Sequence, residues 1–167
     1  MHTVTQRRTI DAPLDDVWAV LDDFGGVANY NPSIERSFIT NDVETGEGAT
    51  RQCDFYGGAS IQERITSYEP GVGYDVDFVD VGSFPMKEMR ASIRVYEVDA
   101  ETTDVEMVSR FVPKYGPLGW VMAKLMAESR MERTLAGVLE GLEDHVRTGK
   151  PVGQDGVLLD AVAPTSS

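Results

Sequence analysis

The fold of this chain is decided by residues 118–148, which read LGWVMAKLMAESRMERTLAGVLEGLEDHVRT. Their apolar residues recur mostly at intervals of three and four, which is typical of an amphipathic helix with one broad apolar face. Pro117 stands at the first helical position, and Gly149 followed by Pro151 provides a matching stop. At about 1.5 Å per residue the helix is roughly 45 Å long and needs a large partner surface. Because the middle, residues 128–133, is too polar for a membrane span, we predict a soluble helix packed against a sheet.

Two glycines, Gly137 and Gly141, stand four residues apart inside this helix. A glycine in a helix interior costs about 1 kcal/mol relative to alanine, so a packing reason is expected. We predict that the pair allows the helix to approach the sheet closely.

Seven strand candidates precede the helix, rich in β-branched and aromatic residues and separated by turn-rich segments. They are residues 3–10, 34–40, 48–56, 60–69, 73–80, 86–98 and 103–112. A helix over residues 14–24 and a helical turn over 27–30 are predicted between the first two. Because the strands follow one another directly instead of alternating with helices, the predicted sheet is an antiparallel meander. The predicted fold class is α+β, with a seven-stranded curved antiparallel sheet around the long C-terminal helix and two short helices after strand 1.

The length of 167 residues suits one domain with a full core, which we place at residues 1–148. Residues 149–167 are rich in Gly, Pro, Ser and Asp and are predicted to be a mostly disordered tail. The single cysteine, Cys53, cannot form an internal disulfide, which favours a reducing, cytoplasmic setting. Residues 1–8 have no apolar segment of the kind that a signal peptide needs.

The charge balance limits the partners. The chain has 28 acidic and 15 basic residues, a net charge of −13, and would repel the phosphates of a nucleic acid. A solvated acidic surface is the simplest interpretation, and adaptation to high salt is an alternative that one chain does not decide. His2 and His145 are far apart, and no cluster has the spacing of metal ligands, so no metal is expected. The glycine pairs at 25–26 and 57–58 lack the strand and helix context of a phosphate-binding loop, so no cofactor is expected either. Nothing in the patterns sets the oligomeric state, so a homodimer stays open.

Two charged residues fall on inward faces of the predicted sheet. Alternation along a strand identifies the side chains that point inward. The apolar face of strand 60–69 also carries Glu63, and that of strand 48–56 carries Arg51. If Gly57 and Gly58 close a tight hairpin, the two side chains lie opposite or one step diagonal to each other. Because an isolated buried charge costs several kcal/mol, we predict that Arg51 pairs with Glu63.

This ion pair has two interpretations. It is either a structural salt bridge, in the core or at a strand end, or the anchor for the polar end of a ligand in an apolar cavity. Methionines are concentrated on the elements that would surround such a cavity, and flexible thioethers suit an adaptable pocket. Plain core filling explains the methionines as well, so both interpretations stay open at this point.

Five short stretches resemble the START-like or Bet v 1-like superfamily, and more narrowly its bacterial polyketide cyclase/dehydrase-like (SRPBCC) proteins nearest to the plant abscisic acid receptors. They are APLDDVWAVLDDFGG (12–26), YNPSI (30–34), GEGATR (46–51), IQERI (61–65) and FPMKEMRASIRV (84–95). The resemblance covers about residues 3–148. It implies a helix-grip fold with a deep cavity between the sheet and the C-terminal helix, a superfold that hosts carriers, receptors and enzymes.

The resemblance also assigns expected positions. Glu63 corresponds to an inward glutamate that contacts polar groups of the ligand in the receptor branch. The mouth of the cavity would be formed by the loops around 57–58 and 81–85, with the 25–32 segment. Pocket-lining and latch-loop positions of that branch are occupied here by Met89, Ala91, Phe84 and Met86. Asn31 stands where the receptors carry a lysine for the ligand carboxylate, so an acidic hormone-like ligand is not implied.

We therefore predict binding or transport of a small hydrophobic molecule, lipid or polyketide-like, in an internal cavity. The predicted ligand-binding residues are Tyr30, Arg51, Phe55, Glu63, Phe78, Phe84, Met86, Met89, Ala91, Met107, Met122 and Met126.

Two other classes of function stay open. In a cyclase-, dehydrase- or isomerase-like enzyme, Glu63 would be the general base with Arg51 beside it, although a nearby arginine favours the ionised carboxylate and so opposes proton transfer. A stress-related or assembly protein would have no ligand at all. Cys53 has no histidine near it in sequence and is predicted to be a small core residue, not a nucleophile.

Overall fold

The computed structural model describes residues 1–114 and 120–160, and the side chains of its long helix from Lys124 onward. The elements are β1 (His2–Ile10), α1 (Leu14–Asp22), a 3₁₀ turn (Phe24–Asn29), β2 (Ile34–Ile39), β3 (Thr50–Phe55), β4 (Ser60–Glu69), β5 (Gly73–Asp80), β6 (Met86–Asp99), β7 (Thr102–Pro113) and α2 (Trp120–Thr148). The seven predicted strands and the predicted helices are confirmed. Residues 115–119, which include the helix start predicted at Pro117, lie outside the described residues.

The seven strands form one antiparallel sheet in the order β1-β7-β6-β5-β4-β3-β2. Strands β2 to β7 are a meander, and β1 closes the edge beside β7. The sheet curls around α2, which packs mainly against β1. This is the predicted α+β helix-grip fold.

The inner face of the sheet follows the predicted alternation. In β7, for example, Val105, Met107 and Phe111 are buried on one face. The second half of α2 completes this core with Leu139 and Leu142, which are also buried.

The first half of α2 is different. Leu125 is 63% exposed and Met126 is 70% exposed, so the apolar stripe does not pack against the sheet along its full length. Among the described side chains of α2, the buried ones are Val138, Leu139 and Leu142, and residues between 125 and 138 border the cavity described below.

The helix glycines do allow a close approach, but not to the sheet as predicted. A Cβ atom on Gly141 would lie 2.1 Å from the carbonyl oxygen of Tyr30, and one on Gly137 would lie 3.8 Å from Cγ of Pro32. The close partner is therefore the segment that follows the 3₁₀ turn. Helical periodicity identifies the face of a helix that packs against another part of the protein, but it does not identify which part.

The segment after α2 is more ordered than a disordered tail. Gly149 ends the helix with a φ of 71°. Val152 is 2% exposed, its N–H donates to the carbonyl oxygen of Asn29 at 2.8 Å, and it forms a β-bridge with Leu158. Residues 149–160 thus do not fit the predicted disorder, because one apolar side chain and one backbone hydrogen bond fix them to the fold. Residues 161–167 lie outside the described residues. Across the part that the structure describes, no helix is both long and apolar enough to cross a bilayer.

Candidate ligand-binding cavity

A cavity of about 960 Å³ lies between the inner face of the sheet and the part of α2 from Leu125 to Val138. This volume is at the upper end of what small-molecule sites in proteins occupy. Of the predicted ligand-binding residues, the cavity is lined by Tyr30, Arg51, Phe55, Glu63, Phe78, Phe84, Met86, Met89, Ala91, Met107 and Met126. The side chain of Met122 lies outside the described residues.

An irregularity in the pairing of β4 with β5 helps to place Glu63 and Phe78 on the cavity wall. A register shift between Gln62 and Glu63 places Gln62 opposite Asp80 and Glu63 opposite Phe78, so one residue of β5 is skipped. Such a bulge turns the following side chain and strengthens the twist of the sheet. It leaves Glu63 and Phe78 side by side on the cavity wall.

Arg51 and Glu63 form an ion pair at the inner end of the cavity. They are direct partners across β3 and β4, as predicted. Arg51 Nε donates to Glu63 Oε2 at 2.6 Å, and Arg51 Nη1 donates to the carbonyl oxygen of Phe24 at 2.9 Å. The guanidinium carbon lies 3.9 Å from the centre of the Phe24 ring, which adds a cation–π contact. Both charged residues are buried, so the pair is held by the protein and not by water.

The charge on Arg51 is secured by its neighbours. Burial alone lowers the pKa of the guanidinium, but the attraction of the Glu63 carboxylate, with smaller contributions from Cys53, Tyr74 and Tyr30, outweighs it and raises the pKa overall. The guanidinium therefore stays a cation, and its charge is balanced within the pair.

One oxygen of Glu63 has no hydrogen-bond partner among the described residues. Oε2 accepts from Arg51 and lies 3.6 Å from Sγ of Cys53, a weak donor. Oε1 makes no hydrogen bond with the described residues. Among them, the one side-chain nitrogen or oxygen that is fully buried and has no hydrogen-bond partner is Oη of Tyr74, so Oε1 is not fully buried. Oε1 is therefore not sealed off by the protein, and since Glu63 lines the cavity, Oε1 is open to it. Glu63 Oε1 is thus a hydrogen-bond acceptor at the inner end of a mostly apolar cavity.

Two tyrosines complete the polar inner end. Burial raises the pKa of Tyr30, and it raises that of Tyr74 further above the ordinary value, so both hydroxyls stay neutral. Tyr30 lies close enough to Tyr74 and Arg51 for these neighbours to affect its pKa, and it lines the cavity. The Tyr74 hydroxyl has no described partner in hydrogen-bonding geometry, although Tyr30 is near.

The described residues contain neither a reactive cysteine thiolate nor a group of metal ligands. Burial, with the nearby negative charge of Glu63, raises the pKa of the Cys53 thiol to about 12, so it is a neutral core side chain and not a nucleophile. Among residues 1–114 and 120–160, no group of three or more His, Cys, Asp or Glu side chains is placed to hold a metal ion.

Some of the groups that form the site could not be, or were not, predicted from the sequence. The carbonyl of Phe24 has no sequence signal, because any residue type supplies a carbonyl. The α2 residues that line the cavity beside Met126 were also missed, and they are Leu125, Ala127, Ser129, Arg130, Met131, Arg133, Thr134, Leu135 and Val138. Helical spacing could have identified some of them, since Arg130 and Arg133 stand four and seven residues after Met126. Of the segments expected at the mouth, 81–85 and 25–32 supply lining residues, whereas Gly57 and Gly58 do not line the cavity.

Comparison with known proteins gives one sequence match and several structural ones. Residues 1–147 match the family model described as polyketide cyclase/dehydrase and lipid transport. No curated protein matches the sequence.

Three solved structures illustrate the likeness in fold. The Zhui aromatase/cyclase from Streptomyces sp. R1128 is 21% identical, with a TM-score of 0.73 over 87% of this chain and 93% of the other. A START superfamily protein from Mycobacterium smegmatis is 14% identical, with a TM-score of 0.72 over 88% and 98%. A norcoclaurine synthase from Thalictrum flavum is 13% identical, with a TM-score of 0.67 over 89% and 95%. At these identities the likeness shows the fold alone.

Proposed function

Because the chain belongs to the polyketide cyclase/dehydrase and lipid transport family, we propose that it binds or carries one small hydrophobic molecule, lipid or polyketide-like, in the cavity. The ligand would place a hydroxyl or amine at the inner end, where Glu63 Oε1 accepts a hydrogen bond. Its apolar body would contact the aromatic and methionine side chains of the wall.

One observation carries this proposal: a cavity of about 960 Å³ whose wall is mostly apolar and whose inner end offers an unpaired acceptor, Glu63 Oε1. Apolar walls stabilise a bound molecule by about 25 cal/mol per Å² of apolar surface removed from water. A few placed polar groups then fix its orientation. A structural salt bridge in a filled core would need neither the space nor the free oxygen.

An enzyme is the second candidate, and the same free oxygen favours it. Oε1 could accept a proton from an acidic C–H or O–H of a bound substrate, with Glu63 as general base in a cyclase-, dehydrase- or isomerase-like reaction. Binding is the better-supported function, because Arg51 holds Oε2 of Glu63 at 2.6 Å and so fixes the other carboxylate oxygen as a positioned hydrogen-bond acceptor. Glu63→Gln separates the two: a carrier loses part of its affinity, whereas an enzyme keeps its ligand and loses most of its rate.

Filling the cavity tests the proposal directly. Ala91 lines the cavity, so Ala91→Phe should fill part of it and weaken binding of the neutral fluorescent probe N-phenylnaphthylamine at least tenfold. Thr66→Phe adds a similar bulk on the exposed outer face of β4 and is the matched control. Circular dichroism would verify that both variants keep the fold. Absence of probe binding to the unmodified protein, or equal binding by both variants, would refute the proposed site.

A further inference from the structure

The charged side chains that line the cavity have a net charge opposite in sign to that of the whole chain. The net charge is −13, yet the charged residues that line the cavity are Arg51, Glu63, Arg130 and Arg133. Arg51 and Glu63 neutralise each other at the inner end. Two positive charges therefore remain on the cavity lining.

These two arginines lie at the mouth. Arg130 and Arg133 are exposed to solvent while they line the cavity, and they stand three residues apart, on neighbouring positions of one face of α2. Met126, which also lines the cavity, is 70% exposed one turn earlier on the same helix. A side chain can be both exposed and cavity-lining only where the cavity opens.

The acidic residues of this part of α2 do not share that position. Glu128 and Glu132 do not line the cavity. The carboxylate Oε1 of Glu128 lies 3.0 Å from Nδ1 of His2 on β1. The helix thus presents Arg130 and Arg133 to the mouth, whereas Glu128 and Glu132 lie elsewhere.

Arg130 and Arg133 also lack the partners that the other arginines have. Each other arginine in the part of the chain that the structure describes makes an ion pair or a side-chain hydrogen bond, as with Arg94 and Asp75 at 2.7 Å or Arg64 and Thr50 at 3.1 Å. Arg130 and Arg133 make neither with any described residue. Like charges at this helical spacing repel each other weakly, and an anion between them would relieve the repulsion.

We propose that the ligand is an anionic amphipath whose carboxylate, sulfonate or phosphate group binds at the mouth between Arg130 and Arg133. This inference rests on the proposed function and adds the charge and the orientation of the ligand. The anionic end stays near solvent, where guanidinium groups bind it by charge-assisted hydrogen bonds, and the apolar body enters the cavity. This anion site lies at the mouth and not at Asn31, which also lines the cavity but has a neutral amide side chain.

Two fluorescent probes of nearly the same shape test this inference. Anilinonaphthalene sulfonate is N-phenylnaphthylamine with one added sulfonate. In the double variant Arg130→Gln/Arg133→Gln, the affinity for the sulfonate probe should fall about tenfold more than the affinity for the neutral one, since each exposed charge contributes a few-fold. The control is Lys87→Gln/Lys150→Gln, which changes the net charge equally at exposed residues that do not line the cavity.

The outcomes separate the two proposals. If the neutral probe does not bind the unmodified protein, the proposed function fails, and this inference fails with it. If it binds and the double variant weakens both probes equally, or no more than the lysine control does, the anionic end is refuted while the cavity stands. At matched ionic strength, sodium sulfate should displace the sulfonate probe more than it displaces the neutral one, because sulfate and sulfonate compete for the same guanidinium groups. Equal displacement of both probes would contradict an anion site at the mouth.

Discussion

Replacing Arg51 by methionine should lower the free energy of unfolding by about 3–5 kcal/mol, because Glu63 would be left as a buried charge without a partner. The substitution also removes the hydrogen bond to the carbonyl of Phe24 and the contact with its ring. Methionine keeps much of the apolar stem, so the loss should come from the charge and not from a void. Urea denaturation of the two proteins, followed by far-ultraviolet circular dichroism, measures the difference.

The double variant Arg51→Met/Glu63→Leu is the control. It removes both charges, and replacing a buried ion pair by apolar residues of similar size is often nearly neutral. The Phe24 carbonyl still loses its partner, which keeps the double variant somewhat below the unmodified protein. It should nevertheless regain at least about 2 kcal/mol relative to Arg51→Met. A loss below about 1 kcal/mol in the single variant would contradict a desolvated pair.

Gly141→Ala should destabilise the protein by about 1–3 kcal/mol, although alanine is the better helix former by about 1 kcal/mol. The added Cβ would lie 2.1 Å from the carbonyl oxygen of Tyr30, a distance that no real contact of this kind adopts, so α2 or the segment at Tyr30 must move. Because Tyr30 lines the cavity, the displacement should also weaken binding of the neutral probe. Thermal and urea unfolding measure the first effect, and a fluorescence titration measures the second.

Gly137→Ala is the matched substitution one turn earlier. Its Cβ would make an ordinary contact, 3.8 Å from Cγ of Pro32. The gain in helix propensity should then dominate and stabilise the protein by up to about 1 kcal/mol. If Gly141→Ala were as stable as Gly137→Ala, the close approach at Tyr30 would be wrong.

The sheet and the ion pair could be predicted from the sequence because both follow from a period of two. Alternation in strands 48–56 and 60–69 placed Arg51 and Glu63 on the inner face, and the short turn between them brought the two strands into register. The rule is local, and a hairpin needs no information from distant residues. The contact of Arg51 with Phe24 could not be predicted in this way, since it joins a side chain to a carbonyl in a turn 27 residues away.

The long helix shows the limit of periodicity. Its apolar stripe predicted one buried face, but Leu125 and Met126 border a cavity and not the sheet. Apolar residues recur at the same spacing along a helix whether their side chains contact core atoms or border a space that a ligand would fill. Val152 is the opposite case, an isolated apolar residue whose burial no repeating pattern predicts. It is buried and fixes the segment after the helix to the rest of the fold.

Native mass spectrometry of the full chain as purified, followed by extraction into organic solvent, tests the binding function most directly. We expect a second species, heavier by the mass of one small molecule, and an extracted compound that is apolar along its body and anionic at one end. Ala91→Phe, purified in the same way, should carry much less of it. A protein that carries no small molecule and whose melting temperature does not respond to a panel of lipids and aromatic polyketides would contradict the binding function.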